Sequence, residues 1–475
     1  MKFLLVAKLF LLCSLYVHAQ QVSQPTYTLQ QCIEIAIANN LLVKRSELEV
    51  QTARVNLNQA KSNLLPDLSA NVNHGTNQGR SIDPFTNSYV NQNVNYANYS
   101  LNSGIVLFNG LILKNLIKQN ALIYEAEKME QQQAKDDLTL NVLFTYFQIL
   151  SNEDQLNQAR LQADVSRKQI ERSNILNKAG AISPSQLSDL QGQLGNDELA
   201  VINSDNALIA SKITLSQLMN VPFTGDFTIE GLKPDALSLN PDLGREQIYA
   251  TALQQLAIVK GASLRKKGAQ TAIKVAGGDR FPQLSLSNNF FSNYSSAATT
   301  SKLVATQDQP TDDYIELNGS KFPVFSQART FENSRIGYTD QIKNNYSSSF
   351  NLGLRIPVFN ALRTRNQVRL AKIELKNADL AEETIMQQLK QAVDMAWFNM
   401  STAKDRLQVL DKQVAAFRES FKAADVRFTA GAGTVIDYTL AKNNLDRSVI
   451  NLINARYDII IRSKVLDYYQ GKLEY

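Results

Sequence analysis

The chain has 475 residues, of which 20 are Gly and 11 Pro, about 6.5% together against a usual ~12%. No proline falls between Pro84 and Pro184, and none follows Pro357. These long runs exclude a β-sandwich or a loop-rich enzyme and point to helices well beyond the ~11–12-residue mean.

In chain order, residues 1–19 read as a secretory signal. Lys2 and Lys8 supply positive charge, Leu9–Leu12 is apolar, and Val17-His18-Ala19 resembles a cleavage site. The alternative, an N-terminal anchor, is disfavoured by the short apolar stretch and the polar Gln20-Gln21. Cys13 lacks the preceding small residues of a lipoprotein cleavage box, so lipidation is not expected. Removing Lys2 and Lys8 leaves 47 basic against 44 acidic residues, too balanced for a nucleic-acid binder. One cysteine, Cys32, and one histidine, His74, remain. No intrachain disulfide can form, and a metal cluster or His-based triad would rest on one ring. The expectation is a protein that is not an enzyme, with no cofactor, metal or catalytic residue. No apolar run of the ~18 residues that a membrane-spanning helix needs follows the signal. That leaves a β-barrel as the one way to cross a membrane.

The chain repeats itself. Leu65-Pro66-Asp67-Leu68-Ser69 recurs as Phe281-Pro282-Gln283-Leu284-Ser285, at an offset of 216. Val106-Leu107-Phe108-Asn109 recurs as Pro357-Val358-Phe359-Asn360, and Ala179-Gly180-Ala181 as Ala430-Gly431-Ala432, both at an offset of 251. The spacing from Phe108 to Ala179 thus equals that from Phe359 to Ala430. Such a match marks a tandem duplication, with repeat 1 at 20–235 and repeat 2 at 236–475. The extra length of repeat 2 falls between Pro282 and Phe359 and reads as a long polar surface loop.

Within each repeat an opening helix of ~37 residues (about Thr28–Leu64 in the first) precedes two strands and a helix of ~70. Heptad spacing of Val142, Ile149, Leu156, Ala163 and Ile170 is matched by Val393, Met400, Leu407, Val414 and Phe421, a coiled-coil seam. About 70 residues at ~1.5 Å each span about 100 Å. Gly180 and Gly431 then supply left-handed caps. Ser183-Pro184-Ser185-Gln186 and Thr434-Val435-Ile436-Asp437 read as capping boxes that start a returning helix. The returning and opening helices are expected to stack end to end. Val221–Gly244, with a short strand at Phe227–Ile229, would form a belt at their junction.

Four segments alternate with period two. Leu68, Ala70 and Val72 interleave with Ser69, Asn71 and Asn73. Tyr99, Leu101, Ile105 and Leu107 interleave with Ser100, Asn102 and Gly104. Leu284 and Leu286 interleave with Ser285 and Ser287, and Phe350–Val358 repeats the pattern. Alternation alone fits a half-buried soluble sheet equally well. The signal peptide and the long helices favour barrel strands with an apolar outside and a polar inside. Four strands cannot close a barrel; two chains give eight with a filled interior, and three give twelve with an aqueous lumen. The fold class is thus a mixed α and β membrane protein, a helical coiled-coil barrel joined to a transmembrane β-barrel shared between subunits.

The order and spacing of these features resemble the TolC-like outer-membrane efflux protein family. Its carriers are Tyr27-Thr28-Leu29-Gln30-Gln31-Cys32-Ile33-Glu34-Ile35-Ala36-Ile37-Ala38-Asn39-Asn40, the paired Pro-x-Leu-Ser strands, the Phe-Asn strand exits and the Gly-containing tips. The resemblance implies a homotrimer in the outer membrane that reaches into the periplasm. Its tip would dock a membrane-fusion adaptor and an inner-membrane pump and open by untwisting. Members often carry lumen-facing tip aspartates in the second repeat; Asp437 matches the first position, and Leu440 occupies the second. The repeat-1 counterpart of Leu440 is Asp189. Asp437 is equally explained as a helix cap. Arg427 and Tyr438 are near enough to latch the tip. Gly180, Ser183, Gly431, Gly433 and Thr434 are the adaptor-docking candidates.

The bland readings of other residues suffice. Gly431-x-Gly433 lacks the strand and third glycine of a phosphate loop, Trp397 packs between helices, Cys32 packs in the opening helix, and His74 is a solvated loop residue. The leading function is passive, gated export through a tripartite efflux or secretion complex. The alternative is a soluble periplasmic coiled-coil adaptor or scaffold.

Overall fold

The structure, a computed structural model, describes residues 26–82, 87–91, 93–225, 227–231 and 244–472. The signal peptide with its cleavage site, and the boundary between repeats at 235/236, lie outside these residues, as does part of the belt. In chain order the elements are β1 (Thr26–Tyr27), α1 (Leu29–Asn39), α2 (Leu41–Ser62), β2 (Asp67–Asn77), β3 (Arg80–Ile82), β4 (Tyr89–Asn91), β5 (Val94–Asn109), α3 (Ile112–Lys178) and α4 (Pro184–Met219). Then follow β6 (Thr228–Ile229), α5 (Arg245–Gln255), α6 (Ala257–Gly278), β7 (Gln283–Ser295), β8 (Thr299–Leu317), β9 (Ser320–Arg335), α7 (Tyr338–Asn344), β10 (Ser347–Arg355), α8 (Arg363–Thr429) and α9 (Val435–Tyr469).

The long helices of the two halves match in length and place. α3 and α8 each have 67 residues, offset by 251 at both ends. The expected opening helix is split: 11 residues of α1, an extended Asn40 (ψ 131°), then 22 of α2. Repeat 2 has the same break at Leu256 (ψ 136°), the counterpart of Asn40 at the offset of 216, between 11-residue α5 and 22-residue α6. An extended residue removes the i→i−4 ladder, so α1 does not continue the line of α2. Each returning helix ends at this break. The Asn40 side-chain amide donates to the Leu218 carbonyl (3.1 Å) and that of Asn220 to the Asn39 carbonyl (3.2 Å). Asn220 and its counterpart Gly471 both adopt the left-handed conformation, φ 51° and 68°. The end-to-end junction therefore falls at Asn40, and α1 packs beside α4.

Two compact units divide the chain. One holds the described residues up to Arg54, Leu122–Lys266 and those from Lys376 onward. The heptad residues Val142, Ile149, Leu156 and Ala163 are buried, as are Val393, Met400 and Val414. Several of them join a core that also takes in Cys32, Ile33, Tyr146, Leu215 and Ile248. Burial pushes the Cys32 thiol up to about 12, so the thiol stays protonated and inert. α3 and α4 form an antiparallel hairpin tied by Asn152 Nδ2 to the Ala207 carbonyl (3.0 Å) and by Arg167 to Glu198 (3.2 Å). The belt strand is real: β6 pairs in parallel with β1, Thr26 beside Thr228. The Tyr146 hydroxyl donates to the Glu230 carbonyl at 2.6 Å.

The second unit, Val55–Ala121 with Lys267–Leu375, carries one antiparallel sheet ordered β10-β7-β5-β2. Leu68 stands opposite Ser103, and their counterparts Leu284 and Leu354 stand opposite each other in repeat 2. One face carries Leu68, Val72, Leu101, Leu286, Leu352 and Leu354, all exposed in the single chain. The other face carries Asn71, Asn102, Ser287 and Asn289; Asn289 Nδ2 donates to Asn102 Oδ1 at 2.7 Å. Tyr99, Tyr294, Tyr338, Phe290, Tyr346 and Phe350 gather at one end of the sheet, with Phe290 stacked on Tyr346, as aromatic girdles do.

Three expectations change here. The insertion is a long hairpin, β8 with β9, followed by α7 rather than an open loop; its polar strands lack the clean alternation that marks β2 or β10. His74 lies within β2, not in a loop. β10 ends at Arg355, so Ile356 and Val358 lie beyond the strand.

Candidate functional site

The tips are built by matching chemistry. Gly180 (φ 77°) and Gly431 (φ 72°) occupy the conformation that side chains with a Cβ resist. Each reverses the chain with the same pair of bonds. The Gly180 amide donates to the Asn177 carbonyl and that of Ala181 to Leu176; the Gly431 amide donates to Phe428 and that of Ala432 to Arg427. These satisfy carbonyls that a helix end leaves unpaired. Ser183 and Thr434 then cap the returning helices. The Gln186 amide donates to Ser183 Oγ (3.3 Å) and the Asp437 amide to Thr434 Oγ1 (3.1 Å). Gly433 sits against the end of the long helix: a Cβ there would lie 3.0 Å from the Phe428 nitrogen, so the neighbouring backbone would have to give way.

Asp437 is exposed and accepts from the Thr434 hydroxyl at 2.7 Å and from its amide at 3.4 Å. The Thr434 hydroxyl, then its amide, and the nearby Arg427 charge hold the carboxyl below its ordinary range. Arg427 is exposed and donates to the Ala423 carbonyl (3.3 Å). Tyr438 is buried, 2% exposed. Its ring packs on Phe421 and Phe428, centroids 5.5 and 5.3 Å away, in a cluster with Leu190 and Val435. Burial raises its hydroxyl above the ordinary tyrosine range. Asp189 and Leu440 are exposed near the starts of the returning helices. Asp437 is thus both a cap and a free-facing carboxylate, while Tyr438 anchors the inside of the tip.

Sequence reasoning missed a charged layer next to this cluster. Lys442 Nζ lies 2.9 Å from Asp197 Oδ2 and 2.7 Å from Asp446 Oδ2. Ser166 Oγ donates to Asp197 Oδ2 at 2.5 Å, and Gln193 Nε2 to Asp197 Oδ1 at 2.9 Å. The network joins α3, α4 and α9. The counterparts of Asp197 and Lys442 are Ser448 and Gln191, so the duplication gave no warning of it. A signal was available in Lys442 and Asp446 at helical i,i+4 spacing.

Among the described residues no group of His, Cys, Asp or Glu is arranged to hold a metal ion, and no helix is long and apolar enough to cross a membrane. The sequence matches the family described as outer membrane efflux protein over residues 32–221 and 248–471. It is 21% identical over 449 residues to the outer membrane protein TolC of Escherichia coli (strain K12), covering 91% of this chain and 80% of that protein. A shorter match, 25% identical over 127 residues, relates 27% of the chain to 28% of the outer membrane efflux protein BepC of Brucella suis biovar 1. The structure is similar to that of CusC, described for transmembrane channel formation, with a TM-score of 0.75, 17% identity, and 96% and 95% of the two chains covered. The family match, the helical tunnel elements and the one-sided sheet agree on an outer-membrane export channel reaching into the periplasm and disfavour a soluble adaptor. The chain belongs to the outer membrane efflux protein family.

Proposed function

We propose that three copies form one gated duct for passive export. The observation that carries this reading is the four-stranded sheet with one apolar face and two open edges, β2 and β10. An open edge with an exposed apolar face is unstable in isolation. Three copies close twelve strands around a lumen lined by the polar face, whereas eight strands would leave it filled. The helices carry the same signature. Ala257 and Thr271 on α6 are buried, while their counterparts Leu41 and Val55 on α2 are exposed, with Leu48 between them. On α8, Leu370, Ile373 and Leu380 are exposed, whereas their counterparts Gln119, Leu122 and Met129 on α3 are more covered, Leu122 and Met129 half-buried. A second copy supplies the missing neighbour for both stripes.

The two repeats, 20–235 and 236–475, act as the domains of this duct after removal of residues 1–19. The tips formed by Gly180 and Ser183, and by Gly431, Gly433 and Thr434, serve as the periplasmic entrance and dock an adaptor coupled to an inner-membrane pump. Energy comes from that pump. Asp437 and Asp189, repeated around a threefold axis, concentrate cations at the entrance, while Arg427 and Tyr438 stabilise its closed form. Planar-bilayer recording of Asp437→Ala tests the gate. Raised conductance or loss of cation block is expected; unchanged conductance and block would leave Asp437 a helix cap.

A further inference from the structure

The duplication carries information about contacts that a single chain cannot make. Strand pairing inside repeat 1 is reproduced in repeat 2 when β2 residues are advanced by 216 and β5 residues by 251: Asp67 opposite Gly104 becomes Gln283 opposite Arg355. Between the repeats, β5 pairs with β7, with Gly104 opposite Ser287, Ile105 opposite Leu286 and Asn109 opposite Gln283. The counterpart of that last boundary is β10 against β2 of another copy.

We infer that β10 of one copy pairs antiparallel with β2 of the next in the register set by the duplication, with Arg355 opposite Asn71, Ile356 opposite Ala70 and Asn360 opposite Asp67, and that Arg363 forms an ion pair with that Asp67. The inference rests on the trimeric reading and adds the residues that seal it. Three observations support it. β5 continues to Asn109, yet β10 stops at Arg355, short of the counterpart Asn360. The unpaired remainder includes Val358, 94% exposed, and Phe359, 79% exposed, as expected of a strand whose ladder partner is on another chain. The chain then leaves both strands by the same left-handed step, Gly110-Leu111 (φ 63° and 64°) and Ala361-Leu362 (φ 51° and 59°), so the exit geometry is shared by the two repeats up to Arg363.

Charge complements the geometry. Within the chain, Gln283, Asn109 and Ile112 line one cavity at the strand exit. Their counterparts across the boundary are Asp67, Asn360 and Arg363, so an acid and a base take the places of Gln283 and Ile112; Asn360 and Arg363 also line the cavity of their own chain, beside Asp279 and Arg355. Asp67 Oδ1 accepts the Gly104 amide of its own chain at 2.9 Å, which leaves Oδ2 for a second donor. Arg363 is exposed, and no ion pair among the described residues involves it.

Disulfide trapping in the assembled protein reads the register. Residues 71 and 355 lie on the polar face, accessible to aqueous oxidant, and native Cys32 is buried and does not compete. Opposed strand residues lie ~4.5–5.5 Å apart at Cα, within disulfide range, whereas a shift of two residues adds ~7 Å along the strand. Asn71→Cys with Arg355→Cys is expected to give a covalent trimer on denaturing gels, while Ser69→Cys or Asn73→Cys with Arg355→Cys is not. Trapping in a shifted pair, or no trapping in an intact trimer, overturns the register. A protein that is monomeric by light scattering overturns the trimeric reading instead. For the ion pair, Asp67→Lys and Arg363→Glu should each lower the temperature at which trimers dissociate in detergent, and the two combined should restore it. Singles without effect, or a double no better than the singles, would overturn the pair.

Discussion

Lys442 Nζ sits 2.9 Å from Asp197 Oδ2, with side chains 2% and 9% exposed, and thereby joins the two returning helices. A buried pair is weak evidence of net stabilisation, but removing one partner strands a charge. Lys442→Met should therefore cost about 3–5 kcal/mol in thermal or denaturant unfolding in detergent. Combining it with Asp197→Asn and Asp446→Asn should recover much of that loss. An unchanged melting temperature in the single variant would show that the layer is effectively solvated.

The same layer gives a signed pH dependence. Burial, the largest cause, raises the Asp446 carboxyl above its ordinary 3.8; Lys442 opposes the rise, Asp197 adds to it, and the net direction is upward. A raised folded value means that this group favours folding below 3.8 and that the benefit is lost as pH climbs through the folded value. Asp437 has the opposite sign: its lowered carboxyl stabilises above 3.8 and the contribution is lost as pH falls through the folded value. Melting temperature against pH should lose the acid-side gain in Asp446→Asn and lose some acid sensitivity in Asp437→Asn. Parallel curves for wild type and Asp446→Asn would contradict the burial argument.

Gly110 tests space against dihedral strain. Ala361, its counterpart, tolerates φ 51°, so an alanine at 110 is not barred by its backbone angle alone. Its Cβ, however, would fall 2.2 Å from the Gly278 carbonyl oxygen. Gly110→Ala should destabilise by ~1–3 kcal/mol, the range for overpacking, whereas Gly180→Ala at the open tip should cost about 1 kcal/mol, the left-handed penalty. Equal losses would mean that contact with Gly278 is relieved by movement.

The contrast between Gly110 and Ala361 also shows what the sequence could convey. Offsets of 216 and 251 placed the strands, the long helices and both tips, because each depends on local signals: period-two alternation, heptads, a glycine, a capping box. The breaks at Asn40 and Leu256 were hidden, since neither residue is a helix breaker and the extended conformation is imposed where the returning helix ends. The β8–β9 hairpin was hidden because its strands are polar on much of both faces and a polar run reads as loop. Tyr438 looked available for a latch from its sequence neighbours; that it turns inward depends on Phe421 and Phe428, which lie on another helix across the tip.

Capping and gating at Asp437 are separable. Thr434→Ala removes the cap acceptor and should cost about 1 kcal/mol while leaving the Asp437 carboxylate exposed. Single-channel cation block should then persist in Thr434→Ala and disappear in Asp437→Ala. Loss of block in both variants would tie it to the shape of the tip rather than to the carboxylate.

The hairpin gives a further handle on conductance. Deleting Val304–Thr330 removes most of β8 and part of β9 and leaves the four-stranded sheet intact. Altered conductance in bilayers is expected if the hairpin covers the mouth; wild-type traces from the deletion would place it clear of the ion path.

The most direct measurement of the whole account is particle imaging of the purified protein in detergent. Three chains are expected, sharing a twelve-stranded wall with the polar face inward and continuing into helices about 100 Å long. A soluble monomer, or a closed dimer of eight strands with a filled interior, would contradict it.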